Sequence, residues 1–290
     1  MDNILREIIA YKRTVELPQM IQGVPLALME ECAAAGPPPR DFIAALRAVP
    51  GVALIAEVKQ ASPSRGLLLK DFDPVRLASI YADHGAAAIS VLTDSRFFLG
   101  EMAHLAAIRD HLDERYDSSH QTEGTATGDN DPSRQPRRSP PPLLRKDFVV
   151  HPYQVYEARA AGADAVLLIA AVLDTAELAE LMALAEQLGM AALIEVHTAT
   201  ELEHVLPLSP RLVGINNRDL RDFSVRLETC LELRAAIPPD VCCVAESGIH
   251  TVEDVARLRD GGFDAMLVGE ALLTAPDIAA RVRELTGGQS

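Results

Sequence analysis

The sequence has no tryptophan, and aromatic residues make up only 4% of its 290 residues. No stretch reaches the 18 or more apolar residues that cross a membrane, and the start, MDNILREIIA, lacks the basic and apolar parts of a signal peptide. These absences predict a cytoplasmic protein with no membrane partner. Hydrophobic residues still reach 48%, enough for a substantial core in one large domain or two small ones.

Positive charge is also scarce. The 27 Lys and Arg residues face 42 Asp and Glu residues, which gives a formal net charge of −15. Nucleic acids are bound through basic surfaces, so we expect no nucleic-acid partner, and any anionic ligand must be held locally. The four cysteines, Cys32, Cys230, Cys242 and Cys243, show no metal-ligand spacing, which predicts reduced, buried thiols and no metal site.

What the sequence does contain is eight short apolar segments separated by segments of helical length. Near-continuous apolar runs are typical of strands buried on both faces, and their alternation with helices is typical of parallel sheets. Eight such units predict an α/β fold, a single (β/α)8 TIM barrel over residues 49–286 with a tail at 287–290. The apolar segments cover residues 52–58, 87–93, 142–146, 164–170, 191–196, 212–216, 241–246 and 264–269.

Two regions fall outside the eight units. Residues 1–48 include the helical pattern NILREIIAYKRTVEL, with Asn3 as a candidate N-cap, and we expect this segment to cap one end of the barrel. Residues 113–142, rich in Ser, Thr, Gly, Asp and Pro, predict a disordered insert on the face opposite the active site. We interpret the insert as a functionally silent loop; the alternative is an interaction role for Arg134, Arg137 and Arg138.

Polar residues end several of the predicted strands. Glu57 and Lys59 lie two residues apart, so the alternation of a strand aims both at one side. One charge at a strand end often only meets water, but burying several ions without partners would cost several kcal/mol each. Together the strand-end residues predict an acid/base site at one mouth of the barrel: Glu57, Lys59, Lys146, Glu195, Asn216 and Glu246.

The residue types suggest roles within this site. Lysines surrounded by carboxylates stay protonated and can act as general acids, which favours Lys146 and Lys59. A carboxylate that is desolvated in a barrel mouth has a raised pKa and gains base strength, which favours Glu195 as the general base. Glu57 could equally orient a lysine.

Two glycines follow the seventh and eighth strands, Gly248 in AESGIH and Gly269 in VGEALL. Backbone N–H groups at such positions can approach an anion closely, so the pair predicts a phosphate site, although each motif alone could be a tight turn. Aromatic and apolar residues nearby in sequence order predict a wall for a flat ring, with ordinary core packing as the alternative. They are Phe97, Phe98, Phe148 and Leu167.

The motifs IAEVKQASPSRG, LLRKDF, LIEVHT, GINNRDL, AESGI and LVGEAL occur in an order and spacing that resemble the indole-3-glycerol-phosphate synthases of tryptophan biosynthesis. The likeness covers nearly the whole chain except the insert. It implies an enzyme without metal or cofactor that converts 1-(2-carboxyphenylamino)-1-deoxyribulose 5-phosphate into indole-3-glycerol phosphate, releasing carbon dioxide and water. Its partner is thus a small phosphorylated aromatic substrate, and we expect a monomer or a weak homo-oligomer.

The resemblance also implies residue roles. Lys146 matches the general acid of ring closure, Lys59 a lysine that contacts substrate and assists proton transfer, and Glu195 the base. Glu57 matches a residue that holds the charged network. Further catalytic positions are Asn216 and Glu246; substrate-binding positions are Ser62, Phe98, Phe148, Leu167, Arg218 and Ser247; phosphate-binding positions are Lys59, Ser247, Gly248, Gly269 and the backbone of Glu270.

Two other functions stay open from the residues alone. A strand-end lysine in a phosphate-binding barrel can form a Schiff base, as it does in aldolases. A non-catalytic barrel could merely bind a phosphorylated ligand, although such a binder has no need of a separate acid and base. We expect no fused second domain, because the chain ends soon after the eighth helical segment.

Overall fold

A computed structural model of the protein describes residues 3–63, 65–121, 139–219 and 224–288. Eight parallel strands form a closed barrel in which each strand pairs with the next, and the first pairs with the last, Ala53 opposite Ala265. The predicted TIM barrel is therefore confirmed. The strands are β1 Ala53–Val58, β2 Ala88–Leu92, β3 Leu143–Lys146, β4 Ala165–Ile169, β5 Ala191–Val196, β6 Leu212–Asn216, β7 Cys242–Glu246 and β8 Ala265–Val268.

Helices surround the barrel, and further helices form the N-terminal segment that precedes β1. They are α1 Asn3–Tyr11, α2 Leu17–Gly23, α3 Leu26–Ala35, α4 Phe42–Arg47, α5 Pro74–Asp83, α6 Met102–Gln121, α7 Pro152–Ala160, α8 Thr175–Gln187, α9 Ala199–Val205, α10 Leu227–Arg234, α11 Val252–Asp260, α12 Glu270–Leu273 and α13 Ile278–Leu285. A π-helical turn, Lys12–Glu16, joins α1 to α2, and a 3-10 turn, Leu206–Leu208, follows α9. A small antiparallel hairpin after β1 pairs Ala61–Ser62 with Gly66–Leu67.

Side chains alternate along each barrel strand between the interior and the helical layer. On β1, Ala53 and Ile55 pack in the interior cluster, whereas Leu54 and Ala56 pack with the residues that face the helices. The same alternation carries Glu57 inward at the end of the strand. Because parallel strands all end at one face, the inward residues at their carboxyl ends meet in a single mouth.

The N-terminal segment contributes to both ends of the barrel. Phe42 and Leu46 of α4 are buried in the interior cluster with the first residues of the strands, such as Ala53, and so close the floor of the barrel. Ile4 and Ile8 of α1 instead line the cavity at the mouth. The candidate helix thus lies at the mouth, and α1 begins at Asn3 within the described residues.

Helix α6 extends into the predicted insert. The prediction of disorder is wrong for residues 113–121, which are helical, because Tyr116 packs against the core and Arg115 forms an ion pair with Asp83. Residues 122–138, with the three arginines considered for an interaction role, lie outside the described residues. Since α6 precedes β3, the two described ends of the insert lie at the floor of the barrel, opposite the mouth.

All four cysteines are free thiols, and Cys230, Cys242 and Cys243 are buried as expected. Cys32 is exposed on α3, so the prediction of a buried thiol is wrong at this position. Among the described residues, no helix is long and apolar enough to cross a membrane. Within the described ranges, no group of three or more His, Cys, Asp or Glu side chains is arranged to hold a metal ion.

Candidate active site

A cavity of about 590 Å³ opens at the mouth, where the strands end. All but one of the site residues named from the sequence line it: Glu57, Lys59, Ser62, Phe98, Lys146, Phe148, Leu167, Glu195, Asn216, Arg218, Glu246, Ser247, Gly248, Gly269 and Glu270. Phe97 does not line the cavity, because its ring packs edge-on against Tyr11 with the centroids 6.1 Å apart. The residues predicted from the sequence therefore lie together around one cavity, and Phe97 lies outside it.

Two lysines and three glutamates at the strand ends line the cavity. Lys146 Nζ lies 3.2 Å from Glu195 Oε2 and 3.8 Å from Glu246 Oε2. Lys59 Nζ pairs with Glu57 Oε2. The glutamates are almost completely buried, whereas the two lysines remain partly accessible, so a ligand in the cavity would reach the ammonium groups directly.

The charges set the protonation states of Lys146 and Glu195. Burial alone would lower the pKa of Lys146, but Glu195, Glu246 and Glu57 outweigh it and hold the pKa above its ordinary value. Burial alone would raise the pKa of Glu195, yet Lys146 and His197 hold it well below its usual range. The expectation of a protonated lysine agrees with this, but the expectation that burial raises the pKa of Glu195 is wrong.

Glu246 carries the raised pKa instead. Burial and the charge of Glu195 raise the pKa of Glu246 to about 8, so one proton resides on this pair of carboxyl groups at neutral pH. Its Oε1 has no hydrogen-bond partner among the described residues. Gly214 lies against that oxygen, and a Cβ there would overlap it, so a larger residue would displace the Glu246 carboxyl group. The site thus places a neutral carboxyl group beside an ionised one.

The loops after β7 and β8 form the glycine-rich part of the cavity. Ser247 and Gly248 both have left-handed backbones, with φ of 64° and 74°. Asn217, which the sequence reasoning missed, anchors this turn: its Nδ2 donates to Ser247 O at 3.0 Å, and its Oδ1 accepts from Cys230 N–H at 2.9 Å. The doubled asparagine in GINNRDL was the available signal.

Two arginines stand beside the glycine-rich turn. Arg65 lies 2.6 Å from Glu270 Oε1 and Arg218 lies 3.7 Å from Glu270 Oε2. Arg65 was not among the candidates from the sequence. These guanidinium groups add positive charge on the side of the cavity formed by Gly248 and Gly269, which offsets the acidic character of the chain locally.

The aromatic wall consists of Phe98 and Phe148, whose ring centroids lie 6.0 Å apart, with Leu167 at the base. Each ring sits on a loop that is held by a buried aspartate. Asp94 Oδ1 accepts from Phe98 N–H at 3.2 Å, and Asp147 Oδ1 accepts from Phe148 N–H at 2.8 Å. The wall is therefore fixed through its backbone as well as by ring packing.

A buried lysine from the N-terminal segment joins the two aspartates. Lys12 Nζ lies 3.0 Å from Asp94 Oδ2, 2.8 Å from Asp147 Oδ1 and 2.9 Å from Glu16 Oε1, with 1% of the lysine exposed. Burial would lower the pKa of Lys12, but the three carboxylates raise it above its ordinary value. Sequence reasoning missed this residue, because a lysine in an amphipathic helix usually faces solvent.

Comparison with known proteins decides the family. The sequence model described as "Indole-3-glycerol phosphate synthase" matches residues 5–285. The chain belongs to the indole-3-glycerol phosphate synthase family. A protein of that name from Roseiflexus castenholzii is 51% identical over 289 residues, covering 99% of both chains, and one from Albidiferax ferrireducens is 45% identical over 289 residues, covering 98% of both.

Solved structures outside the indole-3-glycerol phosphate synthase family share the fold. A 3-hexulose-6-phosphate synthase from Salmonella typhimurium superimposes with a TM-score of 0.60 at 13% identity, covering 81% of this chain and 97% of that one. At this identity the likeness concerns the barrel alone. The family membership therefore rests on the sequence matches, and the site geometry describes how this member is built.

Proposed function

We propose that the mouth of the barrel performs the indole-3-glycerol-phosphate synthase reaction with Lys146 as general acid. The observation that carries the proposal is the position of Lys146, protonated between two buried carboxyl groups and beside an aromatic wall. The family membership supports the reaction: the carboxyphenylamino-deoxyribulose phosphate closes to an indole ring, and carbon dioxide and water leave.

The proposed chemistry needs an acid and a base held apart. As the ring carbon attacks the substrate carbonyl, Lys146 protonates the carbonyl oxygen, and loss of carbon dioxide restores the aromatic ring. Dehydration then requires a proton for the departing hydroxyl group, which we assign to Lys59, and a base for the proton that is lost, which we assign to Glu195. Glu57 orients Lys59, and Glu246 holds the proton that it shares with Glu195.

Substrate binding divides among the walls of the cavity. Phe98, Phe148 and Leu167 would hold the aromatic ring, and the turn at Ser247, Gly248, Gly269 and Glu270 would hold the phosphate together with Lys59. Ser62, Asn216 and Arg218 would contact the hydroxyl and carboxylate groups between them. This arrangement requires no metal or cofactor, and the residue roles form part of the proposal.

A fluorescence assay that follows indole product tests the reaction directly. The chain has no tryptophan, so its own emission is low. Wild-type protein should form product, and Lys146→Ala should lose roughly 10²-fold or more in kcat while its circular dichroism is unchanged. Lys70→Ala, which removes an exposed lysine, is the matched control and should behave like wild type. Folded wild-type protein that binds a phosphorylated ligand without forming indole would overturn the assignment.

The Schiff-base alternative makes a different prediction. A lysine that attacks a carbonyl must be neutral, and the carboxylates around Lys146 favour its charged form. Borohydride added with a carbonyl substrate should therefore leave Lys146 unmodified, whereas a covalent adduct there would support an aldolase. A cytoplasmic location and a monomeric or weakly associating state belong to the proposal as well, and gel filtration at two concentrations tests the latter.

A further inference from the structure

His197 lies directly behind the proposed base. It follows the end of β5 and keeps the inward alternation of Leu193 and Glu195, but it does not line the cavity, and 7% of its side chain is exposed. Its Nε2 lies 3.2 Å from Glu195 Oε1, and that nitrogen has no aligned hydrogen bond within the described part of the chain. The contact with Glu195 is therefore an ion pair from the side opposite Lys146.

The other side of the imidazole ring meets a second carboxylate. His197 Nδ1 lies 3.3 Å from Glu201 Oε2, and the same oxygen accepts from His197 N–H at 2.7 Å. Glu201 is itself fixed in the first turn of α9, where its N–H donates to Thr198 Oγ1 at 3.2 Å. A ring flanked by carboxylates on both nitrogens offers each of them an N–H only when it is doubly protonated.

We propose that His197, fixed by Glu201, is a positioning residue that keeps Glu195 ionised and aimed at the cavity during the reaction. The inference rests on the proposed role of Glu195 as base. His197 acts through Glu195 and does not itself contact substrate. Its positive charge favours the ionised form of Glu195 next to the carboxyl group of Glu246. When Lys146 donates its proton and becomes neutral, His197 is still the ion-pair partner of Glu195.

All charged groups around this pair act on its titration. Lys146 from β3 and His197 from β5 favour the ionised form of Glu195, whereas Glu246 from β7 disfavours it. Glu57 from β1 acts through Lys146, and Glu201 from α9 acts through His197. Burial lowers the pKa of His197, but the two flanking glutamates raise it to about 10, so the ring stays charged across the neutral range.

Removal of the charge gives a prediction with a definite sign. A carboxylate that loses a neighbouring cation has a higher pKa, so the base would become protonated at low pH and the acidic limb of kcat would move to higher pH. The limb belongs to the Glu195 and Glu246 pair, since the two titrate together. Once the pH exceeds the raised pKa, the base is ionised again and activity should return.

His197→Gln tests this, because glutamine can place a donor near Nε2 but carries no charge. We expect kcat at pH 6 to fall about tenfold or more, kcat at pH 8.5 to lie within about threefold of wild type, and KM to change less than about twofold. His204→Gln, at an exposed position of α9, the helix that carries Glu201, is the control and should keep the wild-type profile. A loss that is equal at both pH values would overturn the inference.

Glu201→Gln provides a second route if His197→Gln folds poorly. The amide oxygen can still accept from His197 N–H, but the lost charge should let the imidazole titrate at lower pH, and a smaller shift of the acidic limb should follow. Imidazole resonances in nuclear magnetic resonance spectra report this titration without any turnover. Wild-type protein that makes no indole would overturn the proposed function. An active wild type, with variants whose loss of kcat does not depend on pH, would overturn only the role of His197.

Discussion

The floor and the mouth of the barrel both bury a carboxyl group, but they treat it differently. At the floor, Asp164 accepts from Arg40 N–H at 2.6 Å, from Leu143 N–H at 2.7 Å and from Arg109 Nη1 at 3.1 Å. At the mouth, Glu246 has an oxygen without a hydrogen-bond partner in the described ranges. Burial raises the pKa of both groups, so the difference lies in how many of their oxygens are occupied.

That difference separates a carboxyl group that stabilises the fold from one that can take part in the reaction. A buried oxygen that is already hydrogen-bonded holds segments together and has nothing left to offer a ligand. An oxygen without a partner costs stability but can interact with a substrate that enters the site. Substitutions at the floor should therefore affect stability more than turnover, and substitutions at the mouth should do the reverse.

Lys12 is the strongest challenge to this division, because it lies at the mouth but is fully engaged with three carboxylates. Lys12→Met should lower the free energy of unfolding by about 3–5 kcal/mol, since it leaves Asp94 and Asp147 buried without their lysine. It should also raise KM, because those aspartates hold the aromatic wall. Urea unfolding and steady-state kinetics measure the two effects, and Arg13→Met, at an exposed neighbour, is the control.

A charge-balanced double variant sharpens that test. Asn at position 94 can still accept from Phe98 N–H, so Asp94→Asn combined with Lys12→Met should recover part of the lost stability and part of the KM. If the double variant is as impaired as Lys12→Met alone, the buried charge balance is not what holds the wall.

Asp164→Ala should have the next largest effect. It would leave the N–H groups of Arg40 and Leu143 buried without acceptors, and we expect a loss of about 3 kcal/mol in the free energy of unfolding with kcat unchanged. Urea titration together with the indole assay gives both numbers. Asp240→Ala, at an exposed position near the same end, should change neither. A large fall in kcat with normal stability would contradict the proposed role of the floor.

Glu246→Gln should raise the free energy of unfolding at high pH, in contrast to Lys12→Met and Asp164→Ala, which lower it. The pKa of Glu246 is raised from 4.5 to about 8 in the folded protein, so the wild type loses stability relative to this variant as the pH rises between those values. The variant should be more stable by on the order of 2 kcal/mol at pH 8.5, no more stable at pH 4, and slower in turnover. Thermal unfolding at the two pH values checks this; equal gaps would contradict it.

Deletion of Ser118 to Ser139 should have the smallest effect. The described flanks of this segment lie at the floor, opposite the cavity, so we expect kcat and KM within about twofold of wild type. A variant in which a short Gly-Ser linker replaces the same segment is the control, because it joins α6 to β3 without strain. A large loss of activity in both constructions would place the insert in the catalytic cycle.

The sequence predicted most of the barrel because strands buried on both faces leave a simple apolar signal. It also located the mouth, since Glu57, Lys146 and Glu195 interrupt that signal at the same point of their strands. The small hairpin after β1 is too short to have a period, and the extent of α6 depends on tertiary contacts of Tyr116 that composition does not show.

The parts of the site that the sequence did not reveal depend on contacts between side chains that are far apart in the sequence. Lys12 meets Asp94 and Asp147 only after the chain has closed, and no local pattern links them. His197 could have been found from the sequence, because it continues the inward alternation of β5 two residues beyond Glu195. The pKa of Glu195 was predicted with the wrong sign for the same reason, as two cations that burial brings beside it outweigh desolvation.

Closure of the barrel has a consequence for how the chain is made. Ala53 pairs with Ala265, so one edge of β1 lacks its partner until β8, the last strand of the barrel, has been synthesised. An unpaired parallel edge is open to association with other chains, and contacts between distant parts of a sequence form slowly. The barrel should therefore close only after β8 has left the ribosome, and chains in which β1 is still unpaired are the ones most open to association.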